Sequence, residues 1–257
     1  MSDITPVRPP RHPGIYLLPN LFTTGAMFAG FYAIVVSIDG RFTDAAIAVF
    51  VAALLDGMDG RVARLTNTQS EFGVQYDSLS DLVSFGLAPS LVMYNWSLSN
   101  LREYGATWGR IGWAAAFIYA VCAALRLARF NTQVKVIDKR YFQGLASPAA
   151  AAVCMSFVWS MDKFGVSGVT LDKFTPFMAV IVGLLMVSNF RYYSFKSLPM
   201  GRVPFLWILI AVLVLVPFFV DPPRVLLVVF TLYLLSGPVV TLWGLAMHRK
   251  RPRRSVA

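Results

Sequence analysis

The chain has 257 residues, 57% of them hydrophobic and only 14% charged. An ordinary soluble domain carries about 25% charged residues, so a water-soluble globule with one core is excluded. A formal net charge of +10 raises nucleic acid as a partner, and only the placement of the basic residues along the chain can decide that.

In chain order, the opening MSDITPVRPPRHPG is polar and proline-rich, unlike a cleavable signal peptide, and residues 1–14 are expected to form an irregular cytoplasmic segment. Apolar runs near the ~20 residues needed to cross a bilayer then follow at about 18–38, 43–63, 75–97, 110–130, 145–161, 174–194, 203–220 and 224–246. The fold class is therefore an all-α polytopic membrane protein with about eight transmembrane helices. Residues 248–257 form a basic tail. With the N-terminus inside, only Arg41, Arg102, Arg110, Lys163, Lys173 and Arg224 of the 23 Lys and Arg fall on the far side, which puts both termini in the cytoplasm. The basic excess is thus topological, the tail HRKRPRR suits anionic lipid headgroups, and no nucleic acid partner is expected. Cys122 and Cys154 fall within spans and read as buried, unpaired thiols; His12 and His248 have no metal-ligand spacing.

The junction of the second and third runs, DGMDGRVARLTNTQSEFGVQYDSLSD, departs from this pattern. Asp56, Asp59, Asp77 and Asp81 lie within 26 residues, although a carboxylate at membrane depth is costly. Asp56, Asp59, Gly60 and Ala63 stand at i, i+3, i+4 and i+7, and Gly73, Asp77 and Asp81 at i, i+4 and i+8, so each set occupies one helix face. LTNTQS supplies a short polar turn, and Ser70 followed by Glu71 resembles a helix start. The two helices are then antiparallel neighbours whose four carboxylates converge in one cytoplasm-facing notch. Oxygen ligands without Cys or His suit a hard cation, Mg²⁺ or Mn²⁺, and four aspartates suit two divalent ions sharing bridging carboxylates, the arrangement used in phosphoryl chemistry. Gly60 and Ala63 let a flat group approach the backbone, and Arg64 can fork onto a phosphate. Two other readings exist. The aspartates can pair with Arg61 and Arg64 as loop supports, or line the path of a cation-coupled transporter, although acids gathered at one membrane surface do not trace a path.

The same stretch reads D-x-x-D-G-x-x-A-R-x8-G-x3-D-x3-D, filled in order by Asp56, Asp59, Gly60, Ala63, Arg64, Gly73, Asp77 and Asp81. It resembles the signature of the CDP-alcohol phosphatidyltransferases at every position. The resemblance implies a six-helix core, two divalent metals and a CDP-linked lipid as phosphatidyl donor. It makes Asp56, Asp59 and Asp77 ligands of one metal and Asp56, Asp77 and Asp81 ligands of the other, with Asp81 also the general base. It brings Gly60, Arg64 and Ser70 to CDP-diacylglycerol, with Ala63 and Gly73 in the same lipid-binding set. PNLFT in the first span resembles the family's P-N-x-x-T and nominates Asn20 and Thr23. An amphipathic helix is common before the family's first span, and Pro9, Pro10 and Pro13 argue against one here.

SDLVSFGLAPS (80–90), LRLARFN (125–131) and YFQGLASPAAAA (141–152) resemble the bacterial branch of the family that takes L-serine as acceptor, with Ala146 where a proline is expected. The resemblance covers about 15–200, leaving 201–247 as two additional helices. It further implies a homodimer in the bacterial inner membrane. Arg126 and Arg129, at i and i+3, are candidates for the serine carboxylate, with positive-inside anchoring as their ordinary role. Arg191, Tyr193 and Lys196 form a second basic and aromatic cluster suited to phosphate or to lipid headgroups. Ser78, Ser80 and Ser84 read as helix-packing groups and not nucleophiles. With no nucleophile beside the aspartates, direct displacement is expected. Sister activities using glycerol 3-phosphate or an inositol phosphate are the alternatives within the family.

Overall fold

The structure, a computed structural model, describes residues 14–66, 68, 70–133, 141–193 and 205–249. The expectations for 1–13, for Lys196 and for the tail beyond Arg249 lie outside the described residues. The helices are α1 (Gly14–Ile38), α2 (Phe42–Thr66), α3 (Glu71–Asp81), α4 (Ala88–Trp96), α5 (Ala106–Gln133), α6 (Ser147–Lys163), α7 (Thr175–Val187), α8 (Phe205–Val220) and α9 (Pro222–Arg249). A π-helical turn, Leu82–Leu87, joins α3 to α4, so the third expected span is one rod with a wide turn in its middle. Each of the eight apolar runs contains a helix. By length and composition, Leu18–Ile38, Ala106–Thr132 and Pro222–Trp243 can each cross a membrane alone, and Thr175–Val187 is a shorter apolar helix.

One departure from the sequence reading concerns the end of α7. The sixth run was expected to stay helical to about 194, but α7 stops at Val187, where Ser188 turns extended (φ −62°, ψ 163°). The following Arg191–Tyr193 is a strand, β2, which pairs antiparallel with β1 (Tyr141–Gln143), Phe142 opposite Tyr192. A run of aromatics that favours extended backbone outweighs the apolar run here. Between α4 and α5, Leu98–Tyr104 is a 3₁₀ helix. Ala146, standing where proline was expected, has φ −64° and ψ 136° as the cap of α6, so alanine adopts the backbone a proline would impose.

The core positions the site. Ala26, Ala29, Gly30 and Ala33 give α1 a face of small, buried residues or glycine, against which Ala45, Val49 and Ala52 of α2 pack closely. The other neighbour of α1 is the α3–π–α4 rod, held by two hydroxyls: Ser80 Oγ donates to Thr23 O and Ser84 Oγ to Ala26 O, both at 3.0 Å. A Cβ on Gly30 would lie 2.7 Å from the Cα of Ser84, so only glycine permits this approach without a shift. The π turn frees a carbonyl, Phe85 O, which accepts from the buried Tyr119 hydroxyl of α5 (3.2 Å). On the opposite side, α8 turns Leu213, Val216, Phe219 and Val220 outward, the surface expected of a lipid-facing helix.

Gly30→Ala should therefore destabilise the fold by about 1–3 kcal/mol through overpacking. Gly57→Ala, whose methyl meets nothing within 4 Å, is the control and should not. Thermal unfolding of the two variants in detergent checks this; equal melting temperatures would mean that α1 does not depend on the contact.

Candidate active site

Asp56 and Asp59 sit on the last turns of α2, and Asp77 and Asp81 on the facing turns of α3. The connection is short because α3 begins at once: Ser70, extended at φ −130° and ψ 153°, accepts from the Gly73 N–H at 3.0 Å and caps the helix. Both helices pack on α1, and that shared support brings the carboxylates together. Oxygens of Asp56, Asp59 and Asp77 lie within 4.8 Å of one another. Asp56 is also in hydrogen-bonding range of Asp81, and Asp77 of both Asp56 and Asp59. Asp56 and Asp77 thus stand centrally, with Asp59 on one flank and Asp81 on the other. Asp59 is the deepest, 5% exposed, while the other three are half-buried.

None of the described ion pairs includes any of the four aspartates. Arg64 instead donates from Nε to the Gly60 carbonyl at 2.8 Å, which removes the loop-support reading. Buried oxygens of Asp77 and Asp81 (Oδ1 of each) have no hydrogen-bond partner in the protein. Acceptors left unsatisfied beside like charges are what a site prepared for hard cations presents, and the all-oxygen donor set suits a divalent ion. The cluster is confined to one end of two helices and does not extend as a path through the bundle.

The donor-side candidates gather at the rim. Gly60, Arg64 and Ser70 are exposed, Ala63 is half-buried on the same face of α2, and a Cβ on Gly60 would meet open space. Gly73 is close-packed: an added Cβ would lie 3.2 Å from Ser70 Oγ and 3.7 Å from Asn20 Oδ1, so Asn20, Ser70 and Gly73 meet where α1 crosses the start of α3. Thr23 is turned differently. It is buried, and its hydroxyl lies 2.7 Å from Asp59 Oδ2 and 3.1 Å from the Pro19 carbonyl, tethering the acid cluster to α1. The motif PNLFT marked Thr23, but spacing alone could not reveal that its partner is an aspartate from another helix.

Two arginines on α5 border the notch and differ in what they touch. Arg129 donates from Nη2 to Gln143 Oε1 and Asn189 Oδ1 (2.7 Å each) and from Nη1 to the Val187 carbonyl (3.2 Å), joining α5 to β1, the end of α7 and the link that follows it. Arg126 donates from Nη1 to Ser147 Oγ at 2.8 Å, while its buried Nε has no partner. Its guanidinium lies in electrostatic range of Asp81, and no ion pair joins the two among the described residues. Arg191 is exposed on β2. Ser80 and Ser84 are bonded to α1 backbone, and Ser78 accepts from Asn131 Nδ2 (2.8 Å) while donating to Val74 O. The sequence reading overlooked Tyr192 and Tyr233, whose rings pack tilted against each other (centroids 5.5 Å apart); the glycine–proline pair at 237–238 inside an apolar run was the available signal of a close approach.

A family model for CDP-alcohol phosphatidyltransferase matches residues 16–188. The chain is similar to the CDP-diacylglycerol–serine O-phosphatidyltransferase of Helicobacter pylori strain 26695, with 40% identity over 224 residues that cover 87% of this chain and 90% of that protein. A protein of the same name from Mycobacterium tuberculosis strain H37Rv is 34% identical over 181 residues, 68% of this chain and 60% of that one. The archaetidylserine synthase of Methanothermobacter thermautotrophicus is 33% identical over 177 residues, 68% and 69% of the two chains. With an eight-position signature gathered into one carboxylate cluster and a family match over most of the helical bundle, the chain belongs to the CDP-alcohol phosphatidyltransferase family.

Proposed function

We propose that this protein transfers the phosphatidyl group of CDP-diacylglycerol to the hydroxyl of L-serine, giving phosphatidylserine and CMP. The observation that carries the reading is the aspartate cluster with a half-buried arginine, Arg126, in electrostatic range of Asp81. An acceptor with a hydroxyl for Asp81 and a carboxylate for Arg126 suits that pair of groups, and relatives named as serine O-phosphatidyltransferases support the choice.

Asp56, Asp59 and Asp77 would hold one divalent ion, and Asp56, Asp77 and Asp81 the other; the central position of Asp56 and Asp77 supports this division. Bound there, Mg²⁺ or Mn²⁺ neutralises the donor pyrophosphate and the charge that develops on departing CMP. Gly60, Ala63, Arg64, Ser70, Gly73 and Asn20 receive the CDP-lipid at the rim, and Thr23 steadies Asp59 beneath it. Arg126 takes the serine carboxylate, while Arg129 braces the strands beside it. The free Asp81 oxygen accepts the serine hydroxyl proton, the serine oxygen bonds to the phosphorus carrying diacylglycerol, and the bond to CMP breaks. The acyl chains leave between helices into the bilayer.

The site is read as facing the cytoplasm of a bacterial inner membrane, with 15–200 as the catalytic core, 201–247 as two further helices and a homodimer as the assembly. A reporter fused after Ala257 and another near Lys139 should both report cytoplasm, and one near Lys163 the opposite side; a C-terminus found outside would overturn the orientation.

In membranes supplied with CDP-diacylglycerol, CMP release should require both L-serine and a divalent ion, and chelation should abolish it. Turnover with glycerol 3-phosphate or an inositol phosphate, and none with serine, would sink the acceptor assignment. Asp56→Asn and Asp77→Asn should abolish turnover and also remove the thermal stabilisation that Mg²⁺ or Mn²⁺ gives the purified protein.

Asp81→Asn should keep donor binding and lose about 10²–10⁴-fold in kcat, the usual cost of a missing general base. Raised metal should not restore it. Recovery to near wild-type turnover at high Mn²⁺ would make Asp81 a ligand alone.

A further inference from the structure

Asp59 has a hydroxyl partner from another helix. Thr23 Oγ1 of α1 lies 2.7 Å from Asp59 Oδ2, and the two residues are only 4% and 5% exposed, so bulk water cannot take the hydroxyl's place. The hydroxyl is itself fixed. Its oxygen lies 3.1 Å from the Pro19 carbonyl one turn back, within the reach of a helical threonine, and β-branching keeps χ1 stiff. The Thr23 backbone is anchored as well, because its carbonyl accepts from Ser80 Oγ of α3 at 3.0 Å. Next along α1, the Thr24 and Tyr76 hydroxyls lie 2.9 Å apart, a second tie to α3. A hydroxyl has one proton, and the nearer, charged acceptor takes it, so Thr23 donates to Asp59.

One oxygen of Asp59 is thus engaged by the protein. A carboxylate tied in this way is poorly placed to clasp an ion with both oxygens and is left to bind through one. Hard cations differ in what they make of that. Ca²⁺ takes many oxygens in flexible geometry and readily accepts both oxygens of one carboxylate. Mg²⁺ demands near-ideal octahedral geometry, into which the short bite of a two-oxygen carboxylate does not fit.

We infer that Thr23 is a positioning residue that sets ion selectivity: its hydroxyl holds Asp59 to ligation through one oxygen and so favours a small octahedral ion such as Mg²⁺ over Ca²⁺. The inference rests on the reading of the aspartates as metal ligands given under Proposed function. It assigns Thr23 a task different from the donor contact that the motif PNLFT implies.

The test is the thermal stabilisation of the purified full-length protein in separate titrations of Mg²⁺ and Ca²⁺, for wild type, Thr23→Val, Thr23→Ala and Thr23→Ser. Valine keeps the shape of threonine and removes the hydroxyl. Loss of such an outer partner of a metal ligand typically weakens metal binding about 10–100-fold. The Mg²⁺ midpoint should therefore rise at least ~10-fold in Thr23→Val. The Ca²⁺ midpoint should stay level or fall, because the freed oxygen can join the shell of the larger ion. Thr23→Ser should return the ratio of the two midpoints to that of wild type. A general loss of stability lowers the ion-free melting temperature but not this ratio, and Thr23→Ala gives the same reading if the valine variant does not fold. Wild-type protein stabilised by neither ion would remove the reading of the aspartates as ligands and this inference with it. Wild-type protein stabilised by Mg²⁺, with the ratio unchanged in Thr23→Val and Thr23→Ala, would overturn the role of Thr23 alone. A wild type that prefers Ca²⁺, or a Thr23→Ser ratio matching that of valine, would likewise overturn it.

Discussion

Mutual repulsion among four carboxylates is the constraint around which this molecule is organised. Two antiparallel helix ends press Asp56, Asp59, Asp77 and Asp81 into one half-buried notch, where low dielectric strengthens every like-charge contact. The protein offers little relief. No described lysine or arginine is ion-paired with any of the four, and two buried carboxylate oxygens accept nothing. Cations bound there would relieve the repulsion, and the cluster offers the oxygen donors to hold them.

Holding such a cluster requires a stiff frame, and small residues supply it. Alanines and Gly30 let α1 approach both α2 and the rod beyond the notch, and the serine hydroxyls of that rod bond directly to the α1 backbone. Where apolar side chains gain nothing by leaving lipid for a helix interface, close backbone approach and hydrogen bonds carry the association. The π turn follows Asp81 immediately. It lets the acid face the notch while Ser84 and Phe85, a few residues on, face α1 and α5.

The side of the notch bordered by α5 is built on a different principle, with a polar clasp on a short pair of strands. Gly144 (φ +78°) turns the chain out of β1, its N–H donates to the Phe190 carbonyl, and a side chain there would collide with the Met186 carbonyl. Arg129 is bonded into this clasp, whereas Arg126, one helical turn away, faces the acids. One arginine therefore stabilises the wall and the other is available to a ligand, a division of labour that their spacing does not reveal. The last helix closes the back of the wall through Tyr192 and the carbonyl that Pro238 leaves free.

Much of the site was legible in the sequence because its determinants are local. Helical spacing fixes which face Asp56 and Asp59 share, Ser70 caps the next helix by its own hydroxyl, and a short connection forces antiparallel neighbours; the cluster follows from residues 56–81 alone. Apolar run length likewise fixes eight helical segments, since a backbone in lipid must satisfy its own hydrogen bonds. What the tertiary structure decided involves partners distant in sequence. Thr23 meets Asp59 across 36 residues, Arg129 reaches Asn189 across 60, and Tyr192 meets Leu234 across 42. The early end of α7 belongs to the same group, because β2 forms only with β1 beside it. Hydropathy reports that a residue lies in a helix, but not which neighbour its one hydroxyl or guanidinium will find, and that choice rests on how the helices pack.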